Sequence, residues 1–299
     1  MADVAQTRVI AVSSPFRGAF SASAEGKGVR RLPCRLVPGE GAERSVAALI
    51  SVCARPHDLA EGLACQALLS RLGVKSLLCP TPPRLWIGPP ALAQWTADAF
   101  AARKALHDHE SASGKKVAHI GLGDASPVAV LSAYRQIANH FIDEPRPFAL
   151  HIAGTNASRV RLVDYRTTGA PVLLLAERRP GAIDIKQLSL VVEDLERGGA
   201  HVTGPVRGGP ASPLGRGPEA AQPRLLLDPA SHLVDTRAGL AILKRVQDVW
   251  PMVGQRLERP PRYDDPDRGP FQSAAQRDAV IRAFEALEGN HAPQGSETA

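Results

Sequence analysis

The segment Ser45–Pro80, SVAALISVCARPHDLAEGLACQALLSRLGVKSLLCP, restricts the fold more than any other stretch of the chain. Val46–Ala54 is an unbroken apolar run, the pattern of a parallel strand covered on both faces. From His57 to Gly73 the apolar residues Leu59, Leu63, Ala67, Leu68 and Leu72 recur at helical spacing, and Gly73 supplies a stop. Val74–Pro80, VKSLLCP, is a second, short strand closed by proline. Strand, helix and strand joined by short connections make a βαβ unit, and a βαβ unit implies a parallel sheet.

The same alternation continues. Helices are predicted over 91–109, 126–141, 157–169 and 184–199. Strands are predicted over 115–123, 147–155, 170–177 and 200–206. Ser126 and Pro127 suit the cap and first position of the 126–141 helix. The expected fold class is α/β, a parallel sheet with helices on both faces, followed by a helical C-terminal extension. Residues 1–45 read as an irregular lead segment with two strand-like runs, the second broken by Pro33. Residues 46–206 form the α/β domain, 207–234 a Gly/Pro-rich linker, and 235–299 a helical extension and polar tail, with helices at 235–250 and 270–289.

Composition adds bounds. In 299 residues, 44% hydrophobic content builds a sizeable core, and 4% aromatic content makes it largely Ala, Val, Leu and Ile. The net charge of +6 is modest and gives no reason to expect nucleic-acid binding. The four cysteines show neither a CxxC nor a zinc-like Cys–His spacing, and read as buried apolar thiols. No stretch reaches the ~18–20 apolar residues of a membrane span, and Met1–Phe16 lacks the apolar core of a signal peptide. The expectation is a cytoplasmic protein.

In a phosphate loop, a Gly-rich turn after the first strand carries a lysine and a hydroxyl. The corresponding turn, Arg55-Pro56-His57-Asp58, has none of these. Pro56 lacks an N–H donor, and Asp58 and Glu61 put negative charge where a phosphate would sit. Asp58 reads as a helix cap or first-turn acid. GLGDASP (121–127) is a weaker anion site, with Gly121, Gly123, Asp124 and Ser126 at a helix start, against its reading as a plain strand-to-helix turn. His107 and His109 do not share a helix face, His140 and His151 lack companions at ligand spacing, and YDDPDRG (263–269) lacks calcium-loop spacing. No metal ligand set and no cofactor are expected.

The order of elements resembles the ParA/MinD branch of P-loop proteins, closest to the tyrosine-autokinase domain of bacterial exopolysaccharide machinery. The segments carrying it are VAALISVCA, LACQALLSRLG, VKSLLCPTP, VAHIGLGDASPVAVLSAYRQIANHF, PFALHIAGT and, most specifically, APVLLLAERRPGAIDIKQLSLVVEDLERGGAHVTGPV. The resemblance implies a P-loop NTPase-like fold. The family's loop lysine and strand-end aspartates have no counterpart here, so no catalytic residue is carried over.

The resulting expectation is a non-catalytic pseudo-ATPase or pseudokinase of exopolysaccharide biosynthesis or export. Its partner would be a membrane-anchored chain-length or export protein, which would place it peripherally at the inner membrane. Self-association is left open. One alternative is a degenerate ParA/MinD-like protein that positions a pilus, flagellum or division apparatus. Another is an α/β enzyme with its site at the carboxyl ends of the strands, built from Arg55, His57, Asp124 and His151.

Overall fold

A computed structural model describes residues 7–15, 29–42, 44–81, 89–108, 114–141, 147–162, 165–176, 185–207, 225–226, 250–258 and 269–289. The predicted linker 207–234 beyond Arg207 (apart from 225–226), the helix 235–250 up to Trp250, and the tail after Gly289 lie outside these residues.

The central sheet has eight strands in the order β1-β2-β4-β3-β5-β6-β8-β9. These are β1 (Arg8–Pro15), β2 (Val29–Val37), β3 (Val46–Cys53), β4 (Lys75–Thr81), β5 (Lys116–Gly121), β6 (Leu150–Ala153), β8 (Val172–Ala176) and β9 (Val202–Arg207). From β4 to β9 every pairing is parallel; β1 and β2 are antiparallel to each other, and β2 is antiparallel to β4. The lead segment expected to be irregular therefore supplies one edge of the sheet. Pro33 does not break β2. It pairs with Ala11 of β1 within an eight-residue ladder.

The unbroken apolar runs become the strands buried on both faces: every residue of β3, β4, β6 and β8 is buried. The helices that cover them are α1 (Pro56–Arg71), α2 (Pro89–Asp108), α3 (Ser126–Leu131), α4 (Arg135–Phe141), α5 (Ile185–Arg197), α6 (Trp250–Glu258) and α7 (Ala274–Gly289). The crossover from β3 to β4 runs one way along the sheet and that from β4 to β5 runs the other. With right-handed crossovers, α1 and α2 fall on opposite faces. None of the described helices is long and apolar enough to cross a membrane.

Two predicted helices are corrected. The 126–141 segment is broken after Leu131. Ser132 Oγ bonds back to Ala129 O at 2.8 Å, a side-chain bond that competes with the helical ladder. Tyr134 then forms a bridge with Thr167, and Arg135 N–H donates to Arg166 O at 2.8 Å. The 157–169 segment is not a helix. A 3-10 turn at Thr155–Arg159 leads into the short strand β7 (Val160–Arg161), which pairs with β10 (Leu225–Leu226). Arg161 leaves β7 in a two-pronged bond to Asp194 of α5 at 2.7 and 2.9 Å, which fixes this edge of the chain to α5.

Gln276 of α7 secures the other side. Fully buried, its Nε2 donates to Ala176 O at the end of β8 and to Val206 O of β9, at 3.0 and 3.1 Å. Arg44 and Glu288 pair at 3.1 Å, and Lys116 Nζ donates to Leu287 O, so α7 also reaches the start of β5.

Candidate functional site

Strands β3, β4 and β5 define where a ligand would lie. Counted from β3, the order of the parallel strands is 2-1-3-4-5-6, and the direction of winding reverses between β3 and β5. In open α/β sheets the ligand crevice opens at such a reversal, beyond the carboxyl ends of the strands. The turns that leave those ends are Ala54–Pro56 after β3, Leu122–Ala125 after β5, and Gly154–Ser158 after β6.

These turns bring four polar side chains together. Arg55 caps α1 in an extended conformation. Its Nε donates to Asp58 Oδ2 at 2.5 Å and its Nη2 to Asp124 Oδ2 at 2.6 Å. Asn156 Nδ2 donates to the other oxygen of Asp124 at 3.0 Å. Residues from three strand ends thus converge on one carboxylate. Burial works against the Arg55 charge, but the bond to Asp58 and the fields of Asp124 and Asp58 outweigh it, so the guanidinium is held protonated.

Gly123 shapes the turn that presents Asp124. Its φ is +55°, in the left-handed region, which glycine enters without the clash a Cβ makes. Gly121 is constrained by space: a Cβ there would lie 2.7 Å from Ala125 O and 2.9 Å from the Ala129 Cβ. Ser126, expected as a helix cap, is instead a buried tie. Its Oγ donates to Gly121 O at 3.1 Å and accepts from Gly154 N–H at 3.0 Å. The four residues weighed as an anion site therefore form one turn with a carboxylate at its tip, the ion partner of Arg55.

His57 stands at the rim, with Nδ1 3.8 Å from Asp58 and 3.7 Å from Glu61. Among the described residues, His57, Asp58 and Glu61 form a group whose donor atoms lie within 4.8 Å of one another. Asp58 is taken by Arg55, and the first turn of a helix carries positive partial charge, so the setting opposes a cation. Cys53, the last residue of β3, lies under the same turn. Burial pushes its thiol up to about 11, the state of an unreactive thiol rather than a thiolate.

His151 is not part of the crevice. It lies inside the sheet, without solvent exposure, in a chain of polar groups. Ser51 Oγ meets His119 Nε2 at 2.9 Å, His119 Nδ1 meets Ser132 Oγ at 2.7 Å, and Ser132 Oγ meets His151 Nδ1 at 3.1 Å. Because Ser132 donates to Ala129 O, both imidazoles are assigned as Nδ1–H donors. Phe148 stacks on His119 with ring centroids 4.5 Å apart. Burial drives both imidazoles to the neutral form, His151 down to about 3 and His119 well below its ordinary value, the latter helped by the neighbouring His151 charge.

Of the four residues expected for a strand-end enzyme, Arg55 and Asp124 meet, His57 stands beside them and His151 lies apart. Asn156, which sequence reasoning passed over, completes the set. The one signal available for it was its place in GTNAS, directly after a predicted strand. Ser51, His119 and Ser132 had no signal, since each falls singly within an apolar run.

No protein-family model and no curated protein matches this sequence. Solved structures do. XC6422 of Xanthomonas campestris, an α/β serine hydrolase without a lid, is 13% identical over 68% of this chain and 84% of its own, with a TM-score of 0.47. The dienelactone hydrolase of Anabaena variabilis is 15% identical over 83% and 98%, at 0.43. The esterase domain of a Rhodothermus marinus protein is 13% identical over 82% and 97%, at 0.45. These findings correct the expected ParA/MinD-type, P-loop NTPase-like resemblance and the exopolysaccharide pseudokinase role that rested on it. The structures this chain is similar to are α/β serine hydrolases and esterases.

Proposed function

We propose that the chain is an α/β enzyme of the hydrolytic class, with its site in the crevice beyond β3, β5 and β6, and that it adds water directly to a carbonyl substrate. The observation that carries this is the turn Gly121-Leu122-Gly123-Asp124-Ala125. In α/β hydrolases the nucleophile stands on a sharp strand-to-helix turn with small residues two positions to either side, in the pattern G-x-S-x-G. Here Gly121 and Ala125 are those small residues, and Gly123, at φ +55°, stands where the serine would be. A glycine cannot carry an acyl group.

Asp124, one residue further on, takes the catalytic part. Arg55 and Asn156 fix its carboxylate at the crevice, where it orients a water and accepts its proton. The half-exposed Arg55 guanidinium offers positive charge to the oxyanion that forms. As the carbonyl re-forms and the ester C–O bond breaks, the protonated Asp124 returns that proton to the leaving oxygen, so the products are the carboxylic acid and the alcohol.

Turnover of p-nitrophenyl acetate and butyrate, together with labelling by a fluorophosphonate probe, tests this reading. The expected result is linear hydrolysis with no burst and no label, and a loss on the order of 10²-fold or more in Asp124→Asn, the usual worth of a general base. Stoichiometric labelling of the chain, or no hydrolysis of either ester, would overturn it.

A further inference from the structure

We propose that Cys34 and Cys79 are an oxidation site: a reversible disulfide that joins β2 to β4 and staples the antiparallel β1–β2 pair to the parallel sheet. The register sets the geometry. β2 and β4 are antiparallel, with Arg35 opposite Leu78, Leu36 opposite Leu77 and Val37 opposite Ser76. One step further along the same register, Cys34 faces Cys79. Residues directly opposite in an antiparallel pair have Cα atoms about 4.5 or 5.5 Å apart and side chains on one face. A disulfide spans about 4.4–6.8 Å between Cα atoms, so both spacings of such a pair lie within its reach.

Both side chains are buried, at 0% and 1% exposure, and both are free thiols in this structure. Their mutual contact also shows in Cys34. Its thiol is pushed up by burial first, then by a hydrogen bond to Cys79 and by the Cys79 and Asp98 charges. The other two cysteines stand apart. Cys65, on α1, is raised to about 12 by burial alone, and the groups acting on Cys53 include no cysteine.

The position gives the bond a structural consequence. The β2–β4 ladder spans only the three pairs from Arg35 to Val37, while β1 and β2 pair over eight. The cysteine pair sits where that short ladder ends, so the bond would continue the attachment of the hairpin covalently. With glutathione disulfide as oxidant, one cysteine thiolate attacks a glutathione sulfur. That breaks the glutathione S–S bond, forms a mixed disulfide and releases one glutathione thiolate, which takes up the cysteine's proton. The second cysteine then attacks its partner's sulfur and releases the second glutathione as a thiol. Two protein thiols are oxidised, and one glutathione disulfide is reduced to two thiols. Because both sulfurs are buried, exchange waits on opening of the β1–β2 edge, and it is fast only during folding.

The test refolds the full chain from urea in a glutathione redox buffer, alkylates it under denaturing conditions and counts adducts by mass. Reduced protein takes four alkyl groups. Refolded protein is expected to take two, with a single linked peptide pair containing Cys34 and Cys79, and dithiothreitol should restore four. The oxidised form should also melt at a higher temperature, a shift reversed by reductant. Four adducts after refolding in the redox buffer, or a linked peptide containing Cys53 or Cys65, would overturn the proposal.

Discussion

Arg55 and Asp124 are 69 residues apart in sequence and 2.6 Å apart in the fold, each standing just past the carboxyl end of its own strand. The contact spans the point where the winding of the sheet reverses, the position beyond the strand ends where open α/β sheets take their ligands. Arg55 holds a second acid as well, Asp58, whose side chain is only 3% exposed. The two acids depend on Arg55 to different degrees.

That difference is measurable by urea unfolding. The partly exposed Arg55–Asp124 pair is worth up to about 1 kcal/mol, so Asp124→Asn should cost less than about 1 kcal/mol. Arg55→Ala also takes a charged partner from the buried Asp58, and should cost about 2 kcal/mol. Equal costs for the two variants would mean that Asp58 is held by its other contacts and not by Arg55.

The Gly121–Ala125 turn makes a second comparison. An added Cβ at Gly121 meets backbone and the Ala129 side chain at under 3 Å, so Gly121→Ala should cost about 1–3 kcal/mol by overpacking. Gly123 has a conformational demand instead, and Gly123→Ala should cost about 1–2 kcal/mol. Gly123→Asn should cost less than Gly123→Ala, because asparagine tolerates the left-handed region. Thermal melts of the three variants check the order. A Gly123→Asn variant less stable than Gly123→Ala would contradict the left-handed geometry.

The sequence was most legible where burial is complete. Val46–Cys53, apolar but for Ser51, and Val172–Ala176, apolar throughout, read easily as strands because both faces of each are covered. β1 and β2 were harder to read. They lie at the sheet edge with polar residues interspersed, and Pro33 argues against a strand unless the pairing partner is known. The break in 126–141 depends on Ser132 turning toward two histidines from other strands, which no local pattern encodes. The site was half legible. Arg55 and Asp124 could be placed at strand ends, but their contact follows from strand order, and the spacing of elements alone also fitted a P-loop arrangement.

Ser132 offers a direct test of the buried polar chain. Its hydroxyl accepts from the Nδ1–H of both His119 and His151, at 2.7 and 3.1 Å. Ser132→Ala removes the acceptor shared by the two rings: His119 Nδ1–H loses its partner, while His151 keeps its bond to the Ala129 backbone. A buried donor left without a partner costs about 1–3 kcal/mol, so this small substitution should destabilise the fold by about that much. Ser132→Thr, which keeps the hydroxyl, should recover part of the loss. A Ser132→Ala variant as stable as the parent would mean that the imidazoles find other partners.

The same two histidines set an acid limit on the fold. In the folded chain both are neutral, with His151 pushed down to about 3 and His119 well below its ordinary value. In the unfolded chain each titrates near pH 6.5. Between the folded and unfolded values the unfolded state binds more protons, so stability rises with pH. The contribution is fully present above about pH 7 and is lost progressively as the pH falls below about 6.5. Each histidine contributes a slope of about 1.4 kcal/mol per pH unit well below that point, and the pair about 2.7. Unfolding free energies from urea titrations between pH 7.5 and 4.5 should fall with that slope, and His151→Leu should halve it while also sparing the buried, unpartnered Nε2 of His151. An unchanged slope in both His151→Leu and His119→Leu would assign the acid sensitivity to other groups.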